Sequence, residues 1–268
     1  MQAQIFMGKS LTFALQRRMQ NITDNVANIE TPGHKRKTME MESLFPQVME
    51  RVIAEFEDPN VPLRRKKQFY PEFGTGMRIA EIQKDMKQGA LNMTNRELDV
   101  AIQGEGFFQF LMPDGSTAYA RAGNLKQNQQ GLVTDMHGHP LQPELRIPTN
   151  VQDISIRNNG EVFVHTTQDA NPRQVGQILI AKFESPQDLR SIGQNLYRAT
   201  PQAGEPSVGS PEQEKRGMLQ QGALELANVN IIEEMVDMMH TQRMFELMAG
   251  AINSAADIVK NAQDIPKS

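Results

Sequence analysis

Residues 98–121 read LDVAIQGEGFFQFLMPDGSTAYAR and predict a β-hairpin in the middle of the chain. Strand-forming residues dominate the first half of this stretch, which is interrupted by Gly104 and Gly106. Asp114-Gly115 is a hairpin-turn sequence and leads into a second strand over Thr117–Arg121. Glycines inside a strand pattern are typical of a bulge or of a close approach by another backbone segment.

Three more strand regions follow this hairpin, and turn residues separate them. They are Val151–Arg157, Glu161–His165 and Val175–Phe183. Short strands at regular intervals are typical of a compact β domain. We therefore expect a central β domain.

The N-terminal segment reads as a helix over Gln2–Ile29. Its apolar residues recur at spacings of 4 and 3, which is the seam of a coiled coil. The seam consists of Leu15, Met19, Ile22, Val26 and Ile29. Thr31-Pro32-Gly33 ends the helix, because the residue before proline avoids the helical region and glycine tolerates a left-handed turn.

The C-terminal segment shows the same pattern and predicts a helix over Asn230–Ala262. Its seam consists of Ile231, Met235, Met238, Gln242, Phe245, Ala249, Ile252, Ala256 and Val259. Either Asn228 or Asn230 suits the N-cap position. The seams leave open whether the terminal helices pack on each other, on neighbouring subunits, or on both.

The sequence thus predicts an α+β fold in which the N- and C-terminal helices form a coiled-coil domain. An extended connector leads to the central β-rich domain, and a second connector returns from it. The expected boundaries are 1–38 for the N-terminal helix, 39–90 for the extended or β connector, 91–200 for the β domain, 201–227 for the return connector and 228–268 for the C-terminal helix.

Composition removes several classes of function. The chain has 268 residues, a formal net charge of -4 and no cysteine. Disulfides, thiolate metal sites and cysteine nucleophiles are therefore impossible. The acidic balance argues against a nucleic-acid partner. We expect no direct membrane insertion, because no apolar run reaches membrane-spanning length, and no cleaved signal peptide, because Gly8 and Lys9 interrupt the first apolar residues.

No set of residues predicts catalysis or a bound cofactor. His137-Gly138-His139 holds the only close histidine pair, but a metal site needs three or four ligands, so we expect a solvated turn. Gly74-Thr75-Gly76 and Gly104-Glu105-Gly106 each lack the third glycine of a dinucleotide site. We therefore expect no catalytic, cofactor-binding or metal-binding residues and no enzyme activity.

Three segments together resemble the bacterial flagellar rod and hook protein family. They are residues 24–36, residues 98–109 and residues 221–246, and they occur in the family's order. The residues that match the family motifs are Asn25, Asn28, Thr31, Gly33, Lys35, Arg36, Gly104, Gly106, Phe107, Asn228 and Asn230. His34 departs from the pattern, since the family generally has an aromatic residue there.

The resemblance implies a structural subunit of the flagellar basal body that leaves the cell through the flagellar type III export apparatus. Such subunits polymerise into a hollow helical tube that crosses the periplasm and transmits motor torque to the hook. The implied partners are other copies of the chain, the proximal rod proteins, the hook protein, the rod cap and the surrounding ring proteins. The length and the stretches 74–77 and 191–197 favour a member from the distal part of the rod.

Other interpretations stay open at this point. One is a proximal rod or hook-type subunit of the same family. A periplasmic glycan-binding module or hydrolase belongs to another class, although neither explains heptads at both chain ends. The connector also carries acidic residues at 55–58 and the basic run Arg64–Lys67. A solvated surface is the favoured interpretation of both blocks, and pairing between adjacent subunits is a second hypothesis.

Overall fold

A computed structural model describes residues 2–43, 47–48, 72–73, 77–148, 150–166 and 171–263 of the chain. In this part of the chain there are two α-helices, α1 over Gln2–Ala27 and α2 over Ile231–Gln263, and one short 3-10 helix over Pro186–Asp188. The sequence therefore placed both long helices to within two residues of their observed ends. None of the described helices is both long enough and apolar enough to cross a membrane.

Short strands make up most of the remaining regular structure. In the first half of the described chain they are β1 Lys37–Ser43, β2 Gln47–Val48, β3 Glu72–Phe73, β4 Met77–Lys84, β5 Leu91–Met93, β6 Val100–Gln103, β7 Phe108–Leu111, β8 Thr117–Ala120, β9 Lys126–Gln127 and β10 Val133–Thr134. In the second half they are β11 Val151–Ile156, β12 Glu161–Thr166, β13 Arg173–Gln177, β14 Ile180–Lys182, β15 Arg190–Gly193, β16 Leu196–Arg198, β17 Ser207–Gly209, β18 Met218–Gln221 and β19 Ala223–Glu225.

The chain divides into two compact units. The first comprises Met1–Ile22, Met39–Ile82 and Met235–Ser268, and the second comprises Thr23–Thr38 and Gln83–Glu234. In the first unit, β2 pairs with β3 in an antiparallel arrangement. Arg18 of α1 also pairs with Asp237 of α2 there, with 3.8 Å between Nη2 and Oδ1.

The second unit is built from small sheets around the predicted hairpin. β7 and β8 pair in antiparallel register from Phe108–Ala120 to Leu111–Thr117, as the Asp-Gly turn predicts. They belong to a four-stranded sheet with the order β15-β16-β8-β7, while β11, β12 and β13 form a separate three-stranded sheet. Two pairs, β18 with β6 and β19 with β5, bring the return segment back beside the first strands.

The core of the second unit forms where these sheets meet. Phe108 and Phe110 point inward from β7 and are fully buried. They pack in one cluster with apolar residues of β6, β11, β12 and β14. A smaller cluster contains Phe107, Phe183 and Tyr197, whose rings meet edge to face. Phe107 and Phe108 thus face opposite clusters, which is what alternation along a strand requires.

The structure overturns the expected coiled-coil domain. The described residues hold two helices against nineteen strands, and α1 and α2 form no extended coiled coil within them. α1 buries Leu15 and Ile22 of its seam, but α2 leaves Ile231 and Met235 exposed. A coiled coil requires both helices to bury the same seam, whereas heptad spacing only records that an apolar stripe exists. The α+β architecture built on that domain was therefore wrong, and the regular structure of the described residues consists mostly of β-strands.

Some expectations concern residues outside the described ranges. These include the acidic and basic blocks between residues 55 and 67 and the Gly74-Thr75-Gly76 stretch. The side chain of Val259 in α2 is also outside the description. The boundaries expected for the connectors and the β domain stay a prediction.

Phe108→Ala tests whether β7 supplies the core of the second unit. Its ring is completely buried, so truncation should lower the free energy of unfolding by about 3–5 kcal/mol through lost burial and a residual cavity. Urea unfolding followed by circular dichroism measures this change. The exposed Met136→Ala in the same unit is the control and should change stability by no more than about 0.5 kcal/mol. Equal effects of the two variants would contradict the assigned core.

Candidate functional site

The turn that follows α1 is fixed against the end of β8. Gly33 has φ +69, and a Cβ at this position would lie 2.5 Å from the backbone nitrogen of Ala122. Its own N–H donates to the carbonyl of Glu225 at 2.8 Å. Only glycine combines this left-handed backbone with such a close approach. The Thr31-Pro32-Gly33 stop therefore also docks the turn, which brings Lys35 and Arg36 beside the end of β19.

Glu225 is the buried centre of two ion pairs. Its Oε1 lies 2.7 Å from Lys35 Nζ, and its Oε2 lies 2.5 Å from Arg121 Nε. The three side chains have at most 5% of their surface exposed. Glu225 Oε1 also accepts the backbone N–H of Gly89 at 3.0 Å, and Lys35 Nζ donates to the carbonyl of Lys87 at 2.6 Å. These bonds satisfy polar groups that burial would otherwise leave unpaired.

Arg121 also holds the two-glycine loop before β7. Its guanidinium donates to the carbonyls of Gly106 at 2.5 Å and Ile102 at 2.7 Å, and to that of Gly104. Both glycines have positive φ and are tightly enclosed. A Cβ on either would come within 2.9 Å of another atom, on Gly217 and Ile180 respectively. The predicted close backbone approach is confirmed at Gly104, whereas Gly106 is enclosed by the Ile180 side chain. The carbonyls of both glycines accept hydrogen bonds from the buried Arg121 cation.

A second carboxylate, Glu234, ties the first turn of α2 to the end of α1. Its Oε1 lies 2.6 Å from Arg36 Nε, and its Oε2 accepts from Asn25 Nδ2 at 3.2 Å. Asn25 also pairs with the backbone of Lys37, which donates to its Oδ1 at 3.0 Å and accepts from its Nδ2 at 2.9 Å. Glu234 is buried although the adjacent positions of α2 are exposed. Its hydrogen bonds to Arg36 and Asn25 replace those that water would make.

The two predicted N-cap candidates have different roles. Asn230 is the cap of α2, since its Oδ1 accepts the backbone N–H of Ile232 at 3.0 Å. Asn228 instead links two other segments: its Oδ1 accepts the N–H of Arg36 at 2.7 Å, and its Nδ2 donates to the carbonyl of Asp85 at 2.8 Å. Asn228 therefore cross-links the turn after α1 to the strand end at residue 85.

These contacts define one site, which we call the junction cluster. It consists of Asn25, Lys35, Arg36, Arg121, Glu225, Asn228 and Glu234. The motif residues Gly33, Gly104 and Gly106 surround it and allow the backbones to approach. Residues from motifs that are far apart in the sequence therefore meet in a single network inside the second unit.

The chain matches known proteins across most of its length. Residues 101–164 match the model of the flagellar hook protein FlgE/F/G D1 domain, and residues 220–265 match the C-terminal model of flagellar basal body rod FlgEFG proteins. The flagellar basal-body rod protein FlgG of Agrobacterium fabrum is 36% identical over 248 residues, which cover 91% of this chain and 92% of that protein. The chain belongs to the flagellar basal-body rod protein family. This confirms the resemblance inferred from the motifs.

Two further relatives support the same family. FlgG of Buchnera aphidicola subsp. Schizaphis graminum is 34% identical over 262 residues, covering 97% of this chain and 98% of that protein. FlgG of Bacillus subtilis is 30% identical over 257 residues, covering 94% of both. The matched C-terminal model includes three members of the junction cluster of this rod protein, Glu225, Asn228 and Glu234.

Sequence reasoning found part of the junction cluster. Lys35, Arg36, Asn25 and Asn228 are motif residues, and the carboxylates that pair with them lie in the matched segment 221–246, but the pairing itself was not predicted. Glu225 lies in a strand, where only its position in an apolar Ala-Leu-Glu-Leu run indicates burial. Such a signal does not name a partner, because the cations that neutralise it come from distant segments.

The structure places the expected seam residues outside the junction cluster. In α1, Leu15 and Ile22 are buried, and Met19 and Val26 are half-buried. Ile29, in the turn after α1, is also half-buried. In α2, Met238 and Phe245 are half-buried, whereas four others are exposed: Ile231, Met235, Gln242 and Ile252.

The buried side of α2 is offset from the predicted seam. Its most buried positions are Glu234 and Thr241, seven residues apart, and Met248 continues that row half-buried. Seven residues are close to two helical turns, so these three residues share one side of the helix. The apolar seam members Ile231, Met235 and Ile252 therefore stay 40–56% exposed within the described part of one chain.

His34 occupies a buried position next to the junction cluster. Its side chain is 4% exposed, and its Nε2 is buried without a hydrogen-bond partner among the described residues. It lines a cavity of about 200 Å³ together with Lys37, Asn195 and Tyr197. Burial lowers the pKa of His34 below its ordinary value, and the Lys37 cation lowers it further, while Asp24 acts in the opposite direction. The fold therefore favours the neutral imidazole.

Glu225→Gln tests the buried ion pairs of the rod protein. The amide keeps the shape of the carboxylate but leaves Lys35 and Arg121 as buried cations without an anion. Breaking a buried pair in this way should cost about 3–5 kcal/mol of stability. The exposed pair of Arg146 with Glu144 provides the control, and Glu144→Gln should cost no more than about 1 kcal/mol. Urea unfolding of both variants measures the difference, and a Glu225→Gln loss as small as the control's would refute the role of the network.

His34 should make the stability of the rod protein sensitive to acid. Because its folded pKa is held below the ordinary value of 6.5, the unfolded chain takes up the proton first as pH falls. The contribution of His34 to the free energy of unfolding is therefore complete above pH 6.5 and is lost as the pH falls towards the folded pKa. The urea midpoint should fall less between about pH 8 and about pH 5.5 in His34→Phe than in the parent chain, because the His34 contribution is gone. His165→Asn should keep the pH dependence of the parent. An unchanged pH dependence in His34→Phe would contradict the assignment.

Proposed function

We propose that the terminal helices carry the contacts by which this rod subunit joins neighbouring copies. Family membership makes the chain a structural subunit of the flagellar basal-body rod, assembled with other flagellar components. The observation that supports the proposed contacts is the exposed apolar side of α2. On it, Ile232 is 70% exposed, Met235 56% and Leu247 74%.

A soluble subunit rarely exposes so many large apolar side chains along one helix. Val236 and Met239 extend the same face, so four of the five fall within the first nine residues of α2. Contiguous apolar surface of this kind marks an interaction site. Burying each side chain is favourable by roughly 1.5–3 kcal/mol, so a neighbour that covers this face gains substantial stabilisation.

The assembly residues of this proposal are the seam residues of both helices. They are Leu15, Met19, Ile22, Val26, Ile29, Ile231, Met235, Met238, Gln242, Phe245, Ile252 and Val259. Among them, Leu15 and Ile22 are buried within one chain and support α1 from inside. A head-to-tail contact between one such face and a different face of the next copy produces an open helical polymer whenever the rotation does not close. That geometry suits a rod. The methionines among these residues can adapt to slightly different neighbours.

The junction cluster joins the last turn of α1 and the first turn of α2 to the end of β19 inside the second unit. Asn25 lies in the last turn of α1 and Glu234 in the first turn of α2, and the two share a hydrogen bond. Arg36 joins Glu234, and the neighbouring Lys35 joins Glu225 at the end of β19. Within the second unit, the end of α1 and the start of α2 are therefore held to the β strands by charged, hydrogen-bonded side chains.

The proposal also covers the position of the chain in the rod, its partners and its export route. The chain acts in the distal part of the rod as a non-enzymatic homopolymer that transmits torque to the hook. Its other partners are the proximal rod proteins, the hook protein, the rod cap and the surrounding rings, and it reaches the rod through the type III export apparatus. The glycan-binding and hydrolase alternatives receive no support from the family match.

Met235→Asp should block assembly while leaving the folded subunit intact. The side chain is largely exposed in one chain, so the substitution should change the free energy of unfolding by no more than about 0.5 kcal/mol. In the polymer the same carboxylate would be buried without a partner, which is strongly unfavourable. Sedimentation and electron microscopy of the concentrated chain, and motility of cells that carry only the variant, measure assembly.

Glu246→Gln is the matched control, because Glu246 is exposed on the same helix and stays polar after substitution. We expect this control to assemble and to support motility. Normal assembly of Met235→Asp would contradict the proposed contact surface. If Met235→Asp fails to assemble but has also lost stability, Ile252→Asp, farther along the helix, takes its place. Assembly and the free energy of unfolding are then measured for that variant.

A further inference from the structure

The two terminal helices carry charges of opposite sign. Residues 2–23 of α1 hold three cations, Lys9, Arg17 and Arg18, and no acidic residue. Residues 231–246 of α2 hold four carboxylates and a single arginine. Arg18 already pairs with α2 within one chain. Among the described residues Arg17 and Glu246 form no ion pair, so each leaves a charge available to an outside partner.

An aromatic ring accompanies Arg17 on the exposed side of α1. Phe13 is 54% exposed, and the guanidinium carbon of Arg17 lies 5.4 Å from the centre of its ring. Both residues lie on the side of the helix opposite Leu15 and Ile22, which are buried. Aromatic residues and arginine are enriched in the cores of protein interfaces. This side of α1 therefore has the composition of a contact surface.

The exposed side of α2 has a gap beside Glu246. Gly250 lies one turn after Glu246 and shares its side of the helix with Ile232 and Met239. A Cβ built at Gly250 meets no described atom within 4 Å, so no contact within the described part of one chain requires glycine there. Glycine inside a helix is destabilising relative to alanine. A side chain of a neighbouring copy that fits over Gly250 accounts for this cost.

We propose that the Phe13–Arg17 side of α1 in one copy docks on the Glu246–Gly250 side of α2 in the next copy. Arg17 pairs with Glu246, and the ring of Phe13 covers Gly250. Phe13 precedes Arg17 by four residues and Gly250 follows Glu246 by four, so both contacts form together when the two helices run in opposite directions.

The two docking sides differ in composition, so they are complementary rather than identical. A contact between different faces of identical copies extends into an open polymer when the rotation does not close. This inference rests on the proposed function, because it names the surface of the neighbour that covers the exposed side of α2.

Exchanging the two charges tests the ion pair. Arg17→Glu and Glu246→Arg should each raise the concentration of chain needed for assembly about tenfold, because like charges then face each other across the contact. The double variant restores opposite charges, so its assembly concentration should return to that of the parent. Sedimentation of the full-length chain over a concentration series measures these values. Glu246→Gln keeps an oxygen that accepts from Arg17 and should assemble as the parent does.

Filling the gap at Gly250 tests the second contact. Gly250→Leu places a good helix former where space is free, so the urea midpoint should equal or exceed that of the parent. In the polymer the added side chain occupies the place of the Phe13 ring and should raise the assembly concentration at least about tenfold. Ala251→Leu is the control, since Ala251 is also exposed but lies about 100° around the helix, and it should assemble as the parent does.

Two results would overturn this pairing of faces. One is assembly of Gly250→Leu at the parent's concentration, or a loss in Ala251→Leu equal to that in Gly250→Leu. The other is a charge exchange in which the double variant assembles no better than the single variants. If Met235→Asp blocks assembly while either result is found, α2 remains an assembly surface and only its assigned partner face is wrong. If Met235→Asp assembles normally, the proposed function itself fails.

Discussion

The buried carboxylate of Glu225 is the constraint on which the rest of the second unit depends. Burying a carboxylate away from water is costly unless cations replace the lost solvation. Lys35 arrives from the turn after α1, and Arg121 arrives from the end of β8. Satisfying one charge therefore fixes the mutual positions of three chain segments.

The energetic value of this network lies in specificity rather than in net stabilisation. A buried ion pair is often no more stable than a well-packed apolar substitute, because desolvation offsets the attraction. The network does require particular partners at particular distances, and alternative packings would leave a charge unpaired. Burial lowers the pKa of Lys35, and the partner carboxylate of Glu225 opposes that effect. The same argument explains why the glycines of the loop before β7 are needed, since their carbonyls must reach Arg121.

The two helices differ in how much of their apolar surface is buried within one chain. α1 buries much of its seam, whereas α2 combines one buried row with a broad exposed apolar face. Such a helix packs well enough to form in one chain and still exposes an apolar face that a neighbouring copy can contact. For a polymer subunit this is a workable compromise, because a helix that satisfied its entire apolar surface internally would have little left with which to assemble.

The sequence by itself determined the local elements and the family. Periodicity and cap residues placed α1 and α2, the Asp-Gly turn placed the β7–β8 hairpin, and ordered motifs indicated the rod and hook proteins. These signals are local, because helix caps, turns and alternation act over a few residues. The tertiary structure alone decided what covers each apolar stripe and which charges meet. Lys35 and Glu225 are 190 residues apart, and Arg121 and Glu225 are 104 apart. No spacing rule connects such positions, so the junction cluster and the exposed face of α2 became visible only once the chain was folded.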